Sequence, residues 1–223
     1  MKCAPALLLL LALPLRASEL QLSVIANNVT HEEVWRVVQA AARRAGVTVV
    51  ARMVPAERAL ALANSGVTDG DAGRIEGLDK QYPNLVRVPE PVFYYAAYAF
   101  AYNRLEVNAG WESLRGHAIC IRRGIKLFES RTEGMPRQVL DDEGSILRML
   151  RNGGCEVALL EPNNLAVKEE MAARPPLFQL RPPLEVAPLY IYLHKSHADL
   201  VPSFAEALKQ MRRDGAIQNV PSD

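Results

Sequence analysis

Apolar runs alternate along the chain with segments of helical period. LQLSVIAN (residues 20–27) is a β-rich run that stops at two asparagines. Thr30 reads as an N-cap with Glu33 at the third helical position, a capping box. Val34, Val37, Val38, Ala41 and Ala45 follow at helical spacing, and Gly46 ends the helix. Residues 47–54 read as a second strand, after which Pro55 opens a short helix, PAERALALANSG, with a glycine stop. Residues 67–74 (VTDGDAGR) read as a short strand or turn, and residues 84–88 as another extended segment. This βαβαβ order predicts a parallel sheet with helices on both faces.

The run VFYYAAYAFAYN (residues 92–103) is either a buried strand or a first crossing between two lobes. The alternation then restarts at Trp111. It gives a strand over 118–122, a turn at Gly124 and a helix from about 125. A short strand over 138–140, a helix over 143–152 and a strand over 157–160 follow. Pro175, Pro176, Pro182, Pro183 and Pro188 break the next stretch too often for a long helix. Residues 189–193 read as a strand, and residues 201–213 as an amphipathic helix with Phe204, Leu208 and Met211 on one face. A chain that builds one lobe, crosses to a second and returns leaves a cleft between them.

Residues 1–17 combine Lys2, an apolar run over 6–15 and the small-residue exit LRAS. The run is shorter than the ~20 apolar residues needed to span a bilayer, and its layout is that of a secretory signal cut after Ala17. Cys3 lies too early for a lipoprotein cysteine, so a soluble periplasmic or secreted product is expected. Loss of Lys2 and Arg16 leaves 24 basic against 25 acidic side chains. That balance excludes the global positive field of a nucleic-acid binder. The roughly 205 residues left can bury one large core or two small ones.

Cys120 and Cys155 could pair in an oxidising compartment or remain two buried thiols, and their spacing does not decide. His31, His117, His194 and His197 are scattered without metal-ligand spacing. The chain has no GxSxG elbow, no HExxH, no phosphate loop and no cysteine with an obvious histidine partner. Neither metal nor cofactor is expected.

Several pieces fall in a recognisable order. SGVTDG (65–70) and YPNLVRVPEPV (82–92) come first, then WESLRGHAICIRRG (111–124) and NGGCEVALLE (152–161), and KSHADLVPSFAEALKQMRRDGAI (195–217) ends the chain. In this order the chain resembles the periplasmic solute-binding proteins of the polar amino-acid type (family 3). The resemblance implies a two-lobed α/β fold (type II), each lobe a mostly parallel sheet flanked by helices. Lobe one would take residues 18–100 plus 189–223, and lobe two residues 101–188. It further implies a lobe-one arginine for the ligand carboxylate and a lobe-two acid for its amino group. Arg74, after TDG, and Glu161 match these roles. The alternatives are a surface Arg74 paired with Asp71 or Glu76, and a solvated Glu161 at a strand end.

Two departures change the picture. Asn27 and Asn28 lead directly into the first helix, so the family's aromatic clamp is missing. The family's Gly-Thr-Thr turn reads Gly124-Ile125-Lys126, preceded by Arg122 and Arg123. Such a turn either grips an anion or forms a solvated basic edge. Asn27, at the end of the first strand, and Arg58, at the cleft edge, are further candidates. Tyr94, Tyr95 and Tyr98 either line the cleft or pack in the core, and Trp111 anchors lobe two.

The function implied is capture of a small polar or anionic, amino-acid-like solute by a monomer serving an ABC permease. The alternatives are a sensory module reporting to a separate membrane receptor, and a dehydratase-like enzyme on the same fold.

Overall fold

The computed structural model describes residues 19–217; residues 1–17, read above as an export signal, lie outside the described residues. β1 (Glu19–Ile25) pairs in parallel with β2 (Thr48–Val54) along its whole length and with β3 (Gly70–Arg74) on its other side. The crossovers are α1 (Val29–Arg44), which buries Val34, Val38 and Ala41, and α2 (Ala56–Asn64), which buries Ala59, Leu60 and Ala63. Spacings of three and four residues put each set on one apolar stripe.

After the short β4 (Leu85–Arg87), the run left open as strand or crossing is both. β5 (Phe93–Ala101) is a nine-residue strand that pairs with different partners at its two ends. A second parallel unit follows. β6 (Ile119–Arg122) lies between β7 (Arg137–Leu140) and β8 (Val157–Leu160), with α3 (Lys126–Arg131) and α4 (Glu143–Arg151) as connections. Then come α5 (Leu165–Ala172), the two-residue β9 (Phe178–Gln179), β10 (Glu185–His194) and α6 (Val201–Arg213).

β10 runs antiparallel to β3, β4 and the first half of β5, while the second half of β5 pairs with β8 and β9. The strand order is β2-β1-β3-β10-β5-β8-β6-β7, with β4 on β10 and β9 on β5. Two parallel α/β units, here lobe one and lobe two, are thus joined through a pair of long antiparallel strands. α6 returns to pack on α1, with Phe204, Leu208 and Met211 buried as their spacing predicts.

Three local readings need correction. Asn28, not Thr30, caps α1: its Oδ1 accepts from His31 N–H at 2.8 Å. Asn27 is left-handed (φ 52°), which turns the chain so that Asn28 becomes the last extended residue. α5 lies ahead of the proline-rich stretch, in residues to which the pattern assigned no element; the Asn164 side chain accepts from the N–H groups of Ala166 and Val167 and starts it. β10 begins four residues earlier than read, because Pro188 sits in the strand opposite Tyr94.

Cys120 and Cys155 are bonded, joining β6 to the turn before β8 inside a core that includes Phe100, Ile146, Leu150 and Leu177. The bond closes a loop of sequence separation 35. Replacing both cysteines with alanine is expected to lower the unfolding free energy by about 3–4 kcal/mol. A fall in the urea midpoint checks this, and an unchanged midpoint in non-reducing buffer contradicts it.

Candidate functional site

Parallel strands deliver their carboxyl ends to one edge, where the following helices start with unpaired N–H groups. In this molecule the ends of β1 and β3 from lobe one meet the ends of β6 and β8 from lobe two. Arg74 is the last residue of β3, Arg122 the last of β6, and Glu161 follows β8 directly. All three side chains are buried.

Glu161 crosses between the lobes. Its Oε1 accepts from Asn28 Nδ2 at 2.8 Å, and its Oε2 from Thr30 Oγ1 at 2.6 Å and Thr30 N–H at 3.1 Å. The carboxylate therefore sits on the N-terminus of α1, where backbone donors and the helix dipole favour negative charge. Burial pushes its pKa up, and the bonds from Thr30 and Asn28 oppose that push. Thr30, read as a cap, is instead a contact between lobes.

Arg122 crosses in the other direction. It donates to the carbonyls of Ala26 and Asn27 at 2.9 Å each and pairs with Glu143 at 2.8 Å. Asn27 contributes its carbonyl while its side chain is exposed. Arg74 makes a two-pronged pair with Asp71, both bonds at 3.0 Å, and donates to Ala56 O at 3.0 Å and Gly124 O at 3.3 Å. It is a buried arginine rather than a surface one, with four hydrogen bonds to the protein in this arrangement. Lys126 bonds Glu57 across the lobes at 3.0 Å and its own helix's Glu129 at 2.8 Å. Burial works against its charge, but the two carboxylates outweigh it and raise its pKa. Arg123 is paired with Asp141 at the surface. The basic turn is thus neutralised by the protein's own acids and carbonyls.

The cleft has two parts. An outer groove of about 540 Å³ is lined by apolar and charged groups, the latter including two mutual pairs, Arg131 with Glu185 at 2.7 Å and Lys126 with Glu129 at 2.8 Å. An inner cavity of about 40 Å³, room for only a few waters, lies at the strand ends and shares Ile75, Lys126 and Leu127 with the groove. Tyr95 and His31 line the inner cavity, and both are buried. The Tyr95 hydroxyl and His31 Nδ1 have no hydrogen-bond partner. Such atoms cost about 1–3 kcal/mol each when left unsatisfied.

Arg58 is exposed on the first turn of α2 and lines neither part. Tyr94 and Tyr98 point to the other side of β5, under Arg212 and Arg181. Trp111 packs on Phe128 and donates to Glu185 at 2.6 Å. No group of three His, Cys, Asp or Glu side chains among the described residues could hold a metal.

Solved structures share this architecture. A histidine kinase sensor domain with similarity to periplasmic binding proteins superposes with a TM-score of 0.69 at 20% identity, over 90% of this chain and 93% of that one. The fold is that of the two-lobed periplasmic binding proteins. An arginine-bound, truncated ArgBP of T. maritima gives a TM-score of 0.65 at 14% identity, over 87% of this chain and 96% of that one. An amino acid ABC transporter substrate-binding protein of Streptococcus pneumoniae, bound to L-arginine, gives 0.66 at 13%, over 88% and 90%. No family model matches the chain. An uncharacterised protein of Shewanella oneidensis is 29% identical over 177 residues; the match spans 74% of this chain and 66% of that protein.

Within this binding-protein fold, sequence reasoning missed Asn28 and His31, while it named Asp71 as a partner of Arg74 but placed the pair at the surface. The first two sit where a strand gives way to a helix, and that position could have marked them.

The lobes pack closely at Gly124. A Cβ there would lie 2.5 Å from Glu57 N and 2.8 Å from Ala56 Cβ, at a residue with φ +77°. Gly124→Ala is expected to hold the lobes apart, raising the radius of gyration in small-angle scattering. It should also lose about 1–3 kcal/mol through backbone strain alone. An unchanged radius would contradict the close lobe contact.

Burial, and then the positive charges of Arg74 and Arg122, hold the His31 pKa well below its ordinary 6.5. Below that value the unfolded chain binds a proton that the folded one refuses, so stability falls as pH falls toward the lowered pKa. His31→Gln is expected to flatten this slope in urea titrations at a series of pH values below 6.5.

Proposed function

We propose that the chain is an extracytoplasmic solute-binding protein of the polar amino-acid type (family 3), exported by residues 1–17. It captures a small polar solute between lobes assigned to residues 18–100 plus 189–223 and 101–188. The observation that carries this is the meeting of four strand ends, two from each lobe, at one small cavity lined mostly by buried residues. Closure of two lobes on a hinge buries a guest from both sides and excludes water. Long strands β5 and β10 supply the bridge about which such lobes move. The paired acids and bases serve closure rather than catalysis, and the Cys120–Cys155 bond suits an oxidising compartment.

Delivery to an ABC permease is the first reading of its purpose, supported by the resemblance to amino acid ABC transporter substrate-binding proteins. A sensory role, reporting ligand state to a separate membrane receptor, is the second. The structural likeness to a kinase sensor domain favours it. A ligand that binds the folded state alone raises its stability by about 2.7 kcal/mol at a hundredfold excess over Kd.

The test is a thermal-shift screen of the protein against amino acids, small carboxylates and small neutral amides and alcohols. At least one class is expected to raise the melting temperature in a saturable way. No rise with any class overturns the proposal.

A further inference from the structure

The walls of the inner cavity separate into two kinds of group. Its charged members are engaged elsewhere: Arg74 with Asp71 and two carbonyls, Glu161 with Asn28 and Thr30, Lys126 with Glu57 and Glu129. What faces a guest without a prior partner is aliphatic and neutral. Ile25, Ile75 and Leu189 come from lobe one and the long strand β10, and Ile125 and Leu127 from the start of α3. Tyr95 and His31 add the two unpartnered polar atoms.

We infer that the inner cavity takes an uncharged, short-chain aliphatic molecule with one hydrogen-bonding head, the chemistry of a small carboxamide or alcohol. The head meets the Tyr95 hydroxyl and His31 Nδ1, and the body lies against the isoleucine and leucine side chains. This rests on the proposal that the chain is a solute binder, and it names the class of solute.

Three observations support it. A zwitterion would bring two formal charges to a wall whose counter-charges are already paired, so it must break Arg74 from Asp71 or Glu161 from Thr30. Burying a charge without a partner costs far more than burying a hydrogen-bonded amide. Tyr95 is held neutral by burial and by the nearby carboxylates of Glu161 and Glu143, and His31 is held neutral by burial and two arginines. A hydroxyl that both donates and accepts, and an imidazole nitrogen from the same cavity wall, match an amide or alcohol head. The small volume calls for a short body, whose far end extends past Ile75 and Leu127 into the adjoining groove.

The experiment is isothermal titration of the full chain with isobutyramide, isobutanol, glycine, L-arginine and acetate as probes. Isobutyramide or isobutanol is expected to bind, and Tyr95→Phe, which keeps the ring on Phe128, is expected to weaken that binding about tenfold. A control readout is the melting temperature of the variant without probe, which removal of an unpartnered hydroxyl should leave unchanged or raised. Binding of glycine or L-arginine with both neutral probes silent overturns the inference and leaves the solute-binding proposal standing. Unchanged affinity for a neutral probe in Tyr95→Phe also overturns it. Silence from all five probes overturns the inference; silence across the wider thermal-shift screen is what removes the solute-binding proposal.

Discussion

A buried carboxylate needs donors, and Glu161 finds all of its hydrogen-bond donors on the opposite lobe. The donors are the first turn of α1 and the side chain that caps it. Asn28 holds the helix start with its Oδ1 and gives its amide hydrogens to Glu161, so helix capping and lobe contact share one residue. Hydrogen bonds to a charged group contribute about 1.5–3 kcal/mol each, and stranding a buried charge costs about 3–5 kcal/mol. The set is therefore close to all-or-none. With β8 held on α1, Arg122 comes within reach of the carbonyls that end β1, and Arg74 within reach of Gly124.

The arginines explain why the cleft is tight. Strand ends leave carbonyl oxygens unpaired, and a guanidinium with five donors in a fixed fork can satisfy several at once. Arg122 takes two carbonyls and one carboxylate, and Arg74 two carbonyls and both oxygens of Asp71. In the family that the sequence resembles, an arginine and an acid at these places meet the ligand's two charges. Here the same two kinds of group meet partners inside the protein. Their position follows from the fold, while the partners of Glu161 follow from a three-residue connection after β1 that leaves the start of α1 within reach of the end of β8.

How much was legible in the sequence follows from this distinction. Strand and helix order was readable, because Leu20, Leu22 and Val24 alternate and Val34, Val38 and Ala41 recur at helical spacing. The position of Arg74 and Glu161 at strand ends was readable for the same reason. Asp71 was readable as a partner of Arg74, three residues away on the same strand, but Ala56 and Gly124 were not, since they reach Arg74 only when separate segments have folded. The cap of α1 was ambiguous because Asn28 and Thr30 are both good capping residues; the left-handed turn at Asn27 decided between them. α5 was illegible because it buries a single residue, Val167, and so has no apolar stripe. The disulfide depended on the parallel pairing of β6 with β8, which spacing alone does not give.

Closure without a guest sets the terms on which a guest can bind. The cross-lobe bonds already favour the shut form, so a ligand that competes for Arg74 or Glu161 must first undo them. Its observed affinity would be reduced by the fraction of molecules in which those bonds are open. A ligand that leaves the bonds intact avoids that loss. It gains further if it satisfies Tyr95 and His31, the two groups that the shut form leaves unpaired. Among the described residues these are the buried side-chain atoms left without a partner, and a small, neutral, hydrogen-bonding guest would satisfy them at the least cost to the cross-lobe bonds.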